Sequence, residues 1–141
     1  MIHFEIDGRP RPYSERQTTR VLPNGKRRTW SYRSDALKGW QELVRWEAIR
    51  VQEQVPPPNG PIELTLEFYL KRPKTKSHKP CDEPYPTRFK RDADLTNLVK
   101  GVEDSLEKIL FENDVQVVDQ HNKKRWSKDG RQYAVVTVRE I

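Results

Sequence analysis

Apolar and polar residues alternate most strictly at 62–70, where Ile62, Leu64, Leu66, Phe68 and Leu70 interleave with Glu63, Thr65, Glu67 and Tyr69. A period of two puts the five apolar side chains on one face of a β-strand. Ile2, Phe4 and Ile6 alternate with His3, Glu5 and Asp7, which predicts a half-buried strand ending at Gly8. After Ser34, a candidate helix N-cap, the spacing becomes helical through Leu37, Trp40, Leu43, Val44, Ala48 and Val51. Trp40 lies on that apolar stripe and reads as core. A second helix is predicted from Asp94, with Leu95, Leu98, Val99, Val102, Leu106, Ile109 and Leu110 on one side and Asn97, Lys100, Asp104 and Glu107 on the other. It should stop near 111–114, where Asn113 and Asp114 favour a turn. A strand beginning at Asp114 then runs on through basic residues to Trp126, and 133–138 return as its hairpin partner after the Lys128-Asp129-Gly130 turn.

Between these elements the chain is rich in proline and cations. Pro10 and Pro12 forbid regular pairing in a loop where Arg9, Arg11, Arg16 and Arg20 surround Tyr13, a mixture that suits phosphate and base contact. Pro23-Asn24-Gly25 marks a turn within a basic excursion reaching Trp30, and residues 56–61 form a stiff connector. At about 71–91 lies a basic, proline-rich loop that leads into the aspartates. For each of these cations the alternative is a solvated surface charge.

Composition narrows the class. The length of 141 residues suits a single domain over 1–141, and with 33% hydrophobic residues its core is lean. A net charge of +6 suits a polyanionic partner, while the clustered acids argue against a purely passive basic surface. One cysteine, Cys81, leaves no intrachain disulfide framework and no cysteine-rich zinc site. No apolar run reaches transmembrane length and the first residues lack a signal-peptide layout, so a reducing cytoplasm is expected and no membrane partner.

The candidate chemistry gathers at residues 90–119. Asp92, Asp94 and Asp114 crowd there, and carboxylates held together repel unless a cation sits between them. Mg²⁺ suits such a place, with Mn²⁺ as an alternative. Lys100 could stabilise developing charge on a phosphate or position the attacking water. The bland readings are that Asp94 caps the helix through the Asn97 backbone N–H and that Lys100 pairs on the surface with Glu103 or Asp104. Gly101 is unfavourable in mid-helix by about 1 kcal/mol relative to alanine, which predicts a close approach there by a second copy or by another part of the chain.

The run Asp94-Leu95-Thr96-Asn97-Leu98-Val99-Lys100, followed by Asp104, Leu106 and Asn113-Asp114-Val115-Gln116-Val117-Val118-Asp119, resembles the RusA family of endodeoxyribonucleases that resolve Holliday junctions. The family signature reads D-x-D-N-L-x-K, then D-x-L, a short gap and D-D-x-Q-V. Ile6-x-Gly8-x-Pro10-x-Pro12, Arg16 and Trp30-Ser31-Tyr32 resemble the opening of phage-type members. The resemblance implies metal-binding aspartates at Asp94 and Asp114 and a required lysine at Lys100. Thr96 departs from it, standing where the signature has its second aspartate. Asp92 restores a D-x-D pair only out of register with Asn97 and Lys100, so it is an auxiliary ligand, and Thr96, Asn97 and Asp104 are supporting neighbours. The resemblance further implies a small α/β (α+β) subunit, its mixed sheet packed against two main helices, acting as a homodimer.

The leading expectation is therefore a Mg²⁺-dependent endonuclease that resolves four-way junctions in branched DNA during recombination and repair. Arg9, Arg11, Arg16, Lys74, Lys76, Lys123, Lys124 and Arg125 would track its phosphates. The alternatives are a non-catalytic nucleic-acid-binding protein on the same scaffold, weakened at Thr96, and a structural module whose acids cap helices. Metal-dependent cleavage separates the first from both.

Overall fold

Strand β4 (Ile62–Leu70) carries the most regular pattern and takes an inner place in the sheet. Ile62, Leu64, Leu66, Phe68 and Leu70 all point into the core, as a period of two requires. The computed structural model describes residues 1–72, 85–86 and 94–141. Ahead of β4 come β1 (Ile2–Asp7), β2 (Arg16–Val21), β3 (Arg27–Tyr32) and helix α1 (Asp35–Gln52). After it come α2 (Leu95–Leu106), a single 3₁₀ turn at Asp114–Gln116, β5 (Val117–Trp126) and β6 (Tyr133–Glu140). The fold is mixed α+β: a four-stranded sheet in the order β1-β6-β4-β5, two helices, and a separate two-stranded ribbon of β2 and β3.

One face of the sheet packs on both helices. Trp40, Val44 and Ala48 of α1 and Leu98, Val102 and Leu106 of α2 join Ile6, Leu64, Phe68, Val136 and Val138 in one cluster. Ser34 caps α1, its Oγ accepting from Leu37 N at 3.2 Å. The buried Gln41 ties the helices together by donating from Nε2 to the Gly101 carbonyl at 3.1 Å, an oxygen that Ser105 Oγ also reaches at 3.0 Å. Against Gly101 runs the backbone at 11–13: a Cβ on this glycine would lie 3.2 Å from Arg11 O. The close approach expected at Gly101 is thus made within the chain itself.

Four expectations are corrected, the first being that the strand expected to begin at Asp114 begins at Val117, after the 3₁₀ turn. The segment 9–20 is not wholly a loop, because β2 pairs with β3 antiparallel from Arg16↔Tyr32 to Val21↔Arg27. Helix α2 ends at Leu106 rather than near Phe111. Lys108 takes a positive φ of 73° and its N–H donates to Phe111 O at 2.7 Å, so a hook rather than a further helical turn carries Leu110 and Phe111 into the core. Finally, β6 is not the hairpin partner of β5. It pairs antiparallel with β1 and β4, while β5 runs parallel to β4 on its other side. The link after β5 crosses the end of β4, where Ser127 N donates to Leu70 O at 2.8 Å. Ala134, Val135, Val136 and Val138 are all buried, as suits a strand with neighbours on both edges, whereas the polar β5 takes the edge.

Candidate active site

Helix α2 and strand β5 position the candidate site residues. Asp94 is the N-cap of α2, its Oδ1 accepting from Thr96 N at 2.8 Å. The capping partner is therefore Thr96, not Asn97. The Asn97 carbonyl accepts from Tyr13 N at 2.8 Å, which pins the arginine-rich loop to the helix. Tyr13 lies under Lys100, whose Nζ is 4.2 Å from the ring centroid. Neither Glu103 nor Asp104 pairs with Lys100 among the described residues; the ring holds the ammonium, an interaction worth about 0.5–1 kcal/mol at an exposed site. The Tyr13 hydroxyl donates to Glu15, and this bond, with burial and the charges of Glu15 and Asp104, raises its pKa.

Between α2 and β5 lies a hollow lined by Leu95, Thr96, Val99, Lys100, Glu103, Gln120 and Asn122. Its form depends on an irregularity at the start of β5. Ile62 pairs with Val117 but Glu63 pairs with Asp119, so Val118 is an extra residue. Such a bulge re-phases every side chain beyond it. Gln120 and Asn122 turn toward α2 and into the hollow, and Gln120 Nε2 donates to Asn122 Oδ1 at 3.2 Å. Asp119, His121 and Lys123 turn to the opposite face, beside Glu63 and Glu67.

Carboxylates dominate the α2 side. Burial raises the Glu103 carboxyl, a hydrogen bond from Gln120 lowers it, and the charges of Asp104, Asp114 and Glu107 raise it further. None of these four acids has an ion-pair partner among the described residues. Asp114 is presented by the 3₁₀ turn, which Gln116 fastens. Gln116 Oε1 accepts from Glu112 N at 2.7 Å and Asn113 N at 3.1 Å, and its Nε2 donates to Gly60 O at 3.0 Å and Pro58 O at 3.2 Å. Like charges gathered on one flank in this way make a negative field that draws cations.

The remaining sequence-predicted residues divide. Asp94 and Asp114 are both exposed, Asp94 at the start of α2 and Asp114 within electrostatic reach of Glu103 two helical turns on. Asp92, Lys74 and Lys76 lie outside the described residues. Arg9 and Arg11 sit together, and burial and then the Arg9 charge lower the Arg11 pKa. Lys123 is paired with Glu67 at 2.8 Å, and the Arg125 guanidinium lies 5.8 Å from the Tyr85 ring. The sequence reading did not single out Glu103 or Gln116 for the site. It also did not single out Glu63, Asp119 and His121, whose ligand atoms all lie within 4.8 Å of one another in a group able to hold a metal ion. Strand alternation was the available signal for that trio, but only the parallel pairing of β4 with β5 brings it together.

The sheet, the two helices and the acidic flank of α2 define a small α+β protein in which carboxylates lie near a basic loop. A family model for the endodeoxyribonuclease RusA matches residues 5–139, and the chain belongs to that family. The uncharacterized protein YqaN of Bacillus subtilis (strain 168) is 33% identical over 86 residues, which cover 58% of this chain and 59% of YqaN. The chain thus spans well under two thirds of that relative. No helix among the described residues is long and apolar enough to cross a membrane.

Proposed function

We propose that the protein is a divalent-metal-dependent DNA endonuclease that cuts four-way junctions as a homodimer in the cytoplasm. The observation that carries this reading is Glu103, without an ion-pair partner among the described residues, under the charges of Asp104 and Asp114 and lining one hollow with Lys100, in a chain of an endodeoxyribonuclease family. Asp94 and Asp114 would hold Mg²⁺, with Asp92 as an auxiliary ligand. A cation held by these carboxylates would supply Lewis acidity, toward a water and toward the charge of the scissile phosphate. Thr96 lacks the carboxylate of the family signature. Glu103 lines the same hollow and supplies one, with its proton affinity raised by burial and then by its acidic neighbours. Lys100, held over Tyr13, places a positive charge where a phosphate oxygen gains negative charge. Arg9, Arg11 and Arg16 lead phosphates toward it. Exposed Val115 and Val118 flank Asp114 and offer apolar surface for a second copy.

The test is cleavage of a labelled four-way junction beside linear duplex of the same sequence, with Mg²⁺ or EDTA, by wild type and Asp114→Asn. Paired nicks on the junction, abolished by EDTA and by the substitution, are expected. Tight junction binding without a cut in Mg²⁺ or Mn²⁺ would replace this reading with a non-catalytic binding protein whose chemistry was lost at Thr96.

A further inference from the structure

The β2–β3 ribbon stands away from the body, every residue of both strands being exposed. A lone two-stranded hairpin is at best marginally stable in water, so a surface this open calls for a partner. The register sorts its side chains sharply. Arg16 faces Tyr32, Thr18 faces Trp30 and Arg20 faces Arg28, all on one side. The other side carries Gln17 with Ser31, Thr19 with Thr29 and Val21 with Arg27. One side is therefore arginine and aromatic, the other largely small and neutral.

The arginine-aromatic side is built unfavourably for a protein in isolation. Like charges directly opposite one another destabilise a strand pair, and Arg20 and Arg28 are so placed. No described carboxylate pairs with Arg16, Arg20 or Arg28. The Arg28 guanidinium lies 5.1 Å from the Trp30 ring centroid, and Thr18, Arg20 and Trp30 line an open hollow. Trp30 and Tyr32 are 36% and 47% exposed, so their rings are accessible. Cations with no carboxylate partner among the described residues, beside open aromatic rings, fit a polyanion that also presents flat π-faces.

The ribbon is also tied to the helix of the candidate site. Its first stem is held by Tyr13 N on Asn97 O and by the close packing of Arg11 on Gly101. Its second stem is held by Arg33, which donates to Gln41, itself bonded to Gly101 O. Both stems thus converge on the turn of α2 that carries Lys100.

We infer that the side of the hairpin bearing Arg16, Arg20, Arg28, Trp30 and Tyr32 binds nucleotides whose bases are unstacked, and that it is the element that selects branched over linear DNA. The inference rests on the reading of DNA as substrate. Bases within a linear duplex already stack on each other and offer no face to Trp30, whereas a branch point exposes base faces between two backbones. The arginines hold those backbones while the rings cover the bases.

Binding of a four-way junction and of linear duplex in EDTA tests this without cleavage. Trp30→Ala with Tyr32→Ala should weaken junction binding by about tenfold or more and leave duplex binding unchanged. Trp30→Phe with Tyr32→Phe should restore it. Arg20→Gln with Arg28→Gln should weaken both and reduce the salt dependence of binding by about two charges. Gln17→Ala with Ser31→Ala, on the other side, should behave as wild type. The inference is overturned if the aromatic double variant binds junctions like wild type, loses junction and duplex equally, or turns a dimer into a monomer. A wild type that cuts junctions while that variant binds them normally would sink this inference alone. A wild type that discriminates junctions through the hairpin but never cuts would sink only the nuclease reading, and one that binds no DNA would sink both.

Discussion

Strand β5 separates two charged surfaces that treat their charges in opposite ways. On the face away from the helices, Arg131 contacts Glu5 at 2.6 Å and Asp7 at 3.1 Å, Lys123 contacts Glu67 at 2.8 Å, and His121 contacts Asp119 at 3.4 Å. On the helix side the charges of Asp104, Asp114 and Glu107 all act on Glu103, and Lys100 is turned onto Tyr13. A surface whose charges are mostly paired off needs little from outside. One that holds like charges together is completed by what binds. Among the described residues the exception on the paired face is Glu63, which with Asp119 and His121 forms the group able to hold a metal ion.

The comparison breaks first at Asp114. Asp114→Asn is expected to lower junction cleavage by more than about 100-fold, since even residues one step removed from a metal commonly cost about 10–100-fold. Asp119→Asn and His121→Ala should leave cleavage near wild type. The reverse result, with metal affinity lost in the latter pair, would move the cation to the Glu63, Asp119 and His121 group. Gln116→Leu should come next, with roughly a tenfold fall in kcat in a folded protein, because the turn that aims Asp114 loses its four hydrogen bonds.

Smaller effects sharpen the contrast. Gly101→Ala gains about 1 kcal/mol of helix propensity but forces a Cβ to within 3.2 Å of the Arg11 carbonyl, between two prolines that stiffen the loop. Overpacking of about 1–3 kcal/mol should win, so urea unfolding should show net destabilisation. Glu103→Gln tests the repulsion directly. The Glu103 carboxyl is raised by burial and by its acidic neighbours, so the folded state holds that proton more tightly than the unfolded chain. Its contribution favours folding below the usual glutamate range, near pH 4.3, and is lost as pH rises through the folded value. The glutamine variant should therefore be more stable than wild type at neutral pH without metal and equal to it at pH 4. Lys123→Ala, which removes one exposed ion pair from the compensated face, should cost under about 1 kcal/mol in the same measurement.

Much of this was legible in the order of residues. The alternation at 62–70 and at 2–7, the Ser34 cap, the buried Trp40 and the two faces of α2 all depend on neighbours within a turn or two. Periodicity and capping are local, and local chemistry decides them. The motif around Asp114 was likewise visible, although the role of Gln116 was not, because its acceptors at Pro58 and Gly60 are far away along the chain.

What tertiary structure alone decided was pairing and phase. The turn at Lys128-Asp129-Gly130 suggested a hairpin, yet β6 offers buried valines to two neighbours and so displaces β5 to the edge. One extra residue at Val118 then assigns Gln120 and Asn122 to the hollow and Asp119 and His121 to the other face. Without the bulge the same sequence would present the opposite set. Strand partner and register are set by contacts between distant segments, and a period of two cannot say which of two faces is inward until those contacts form.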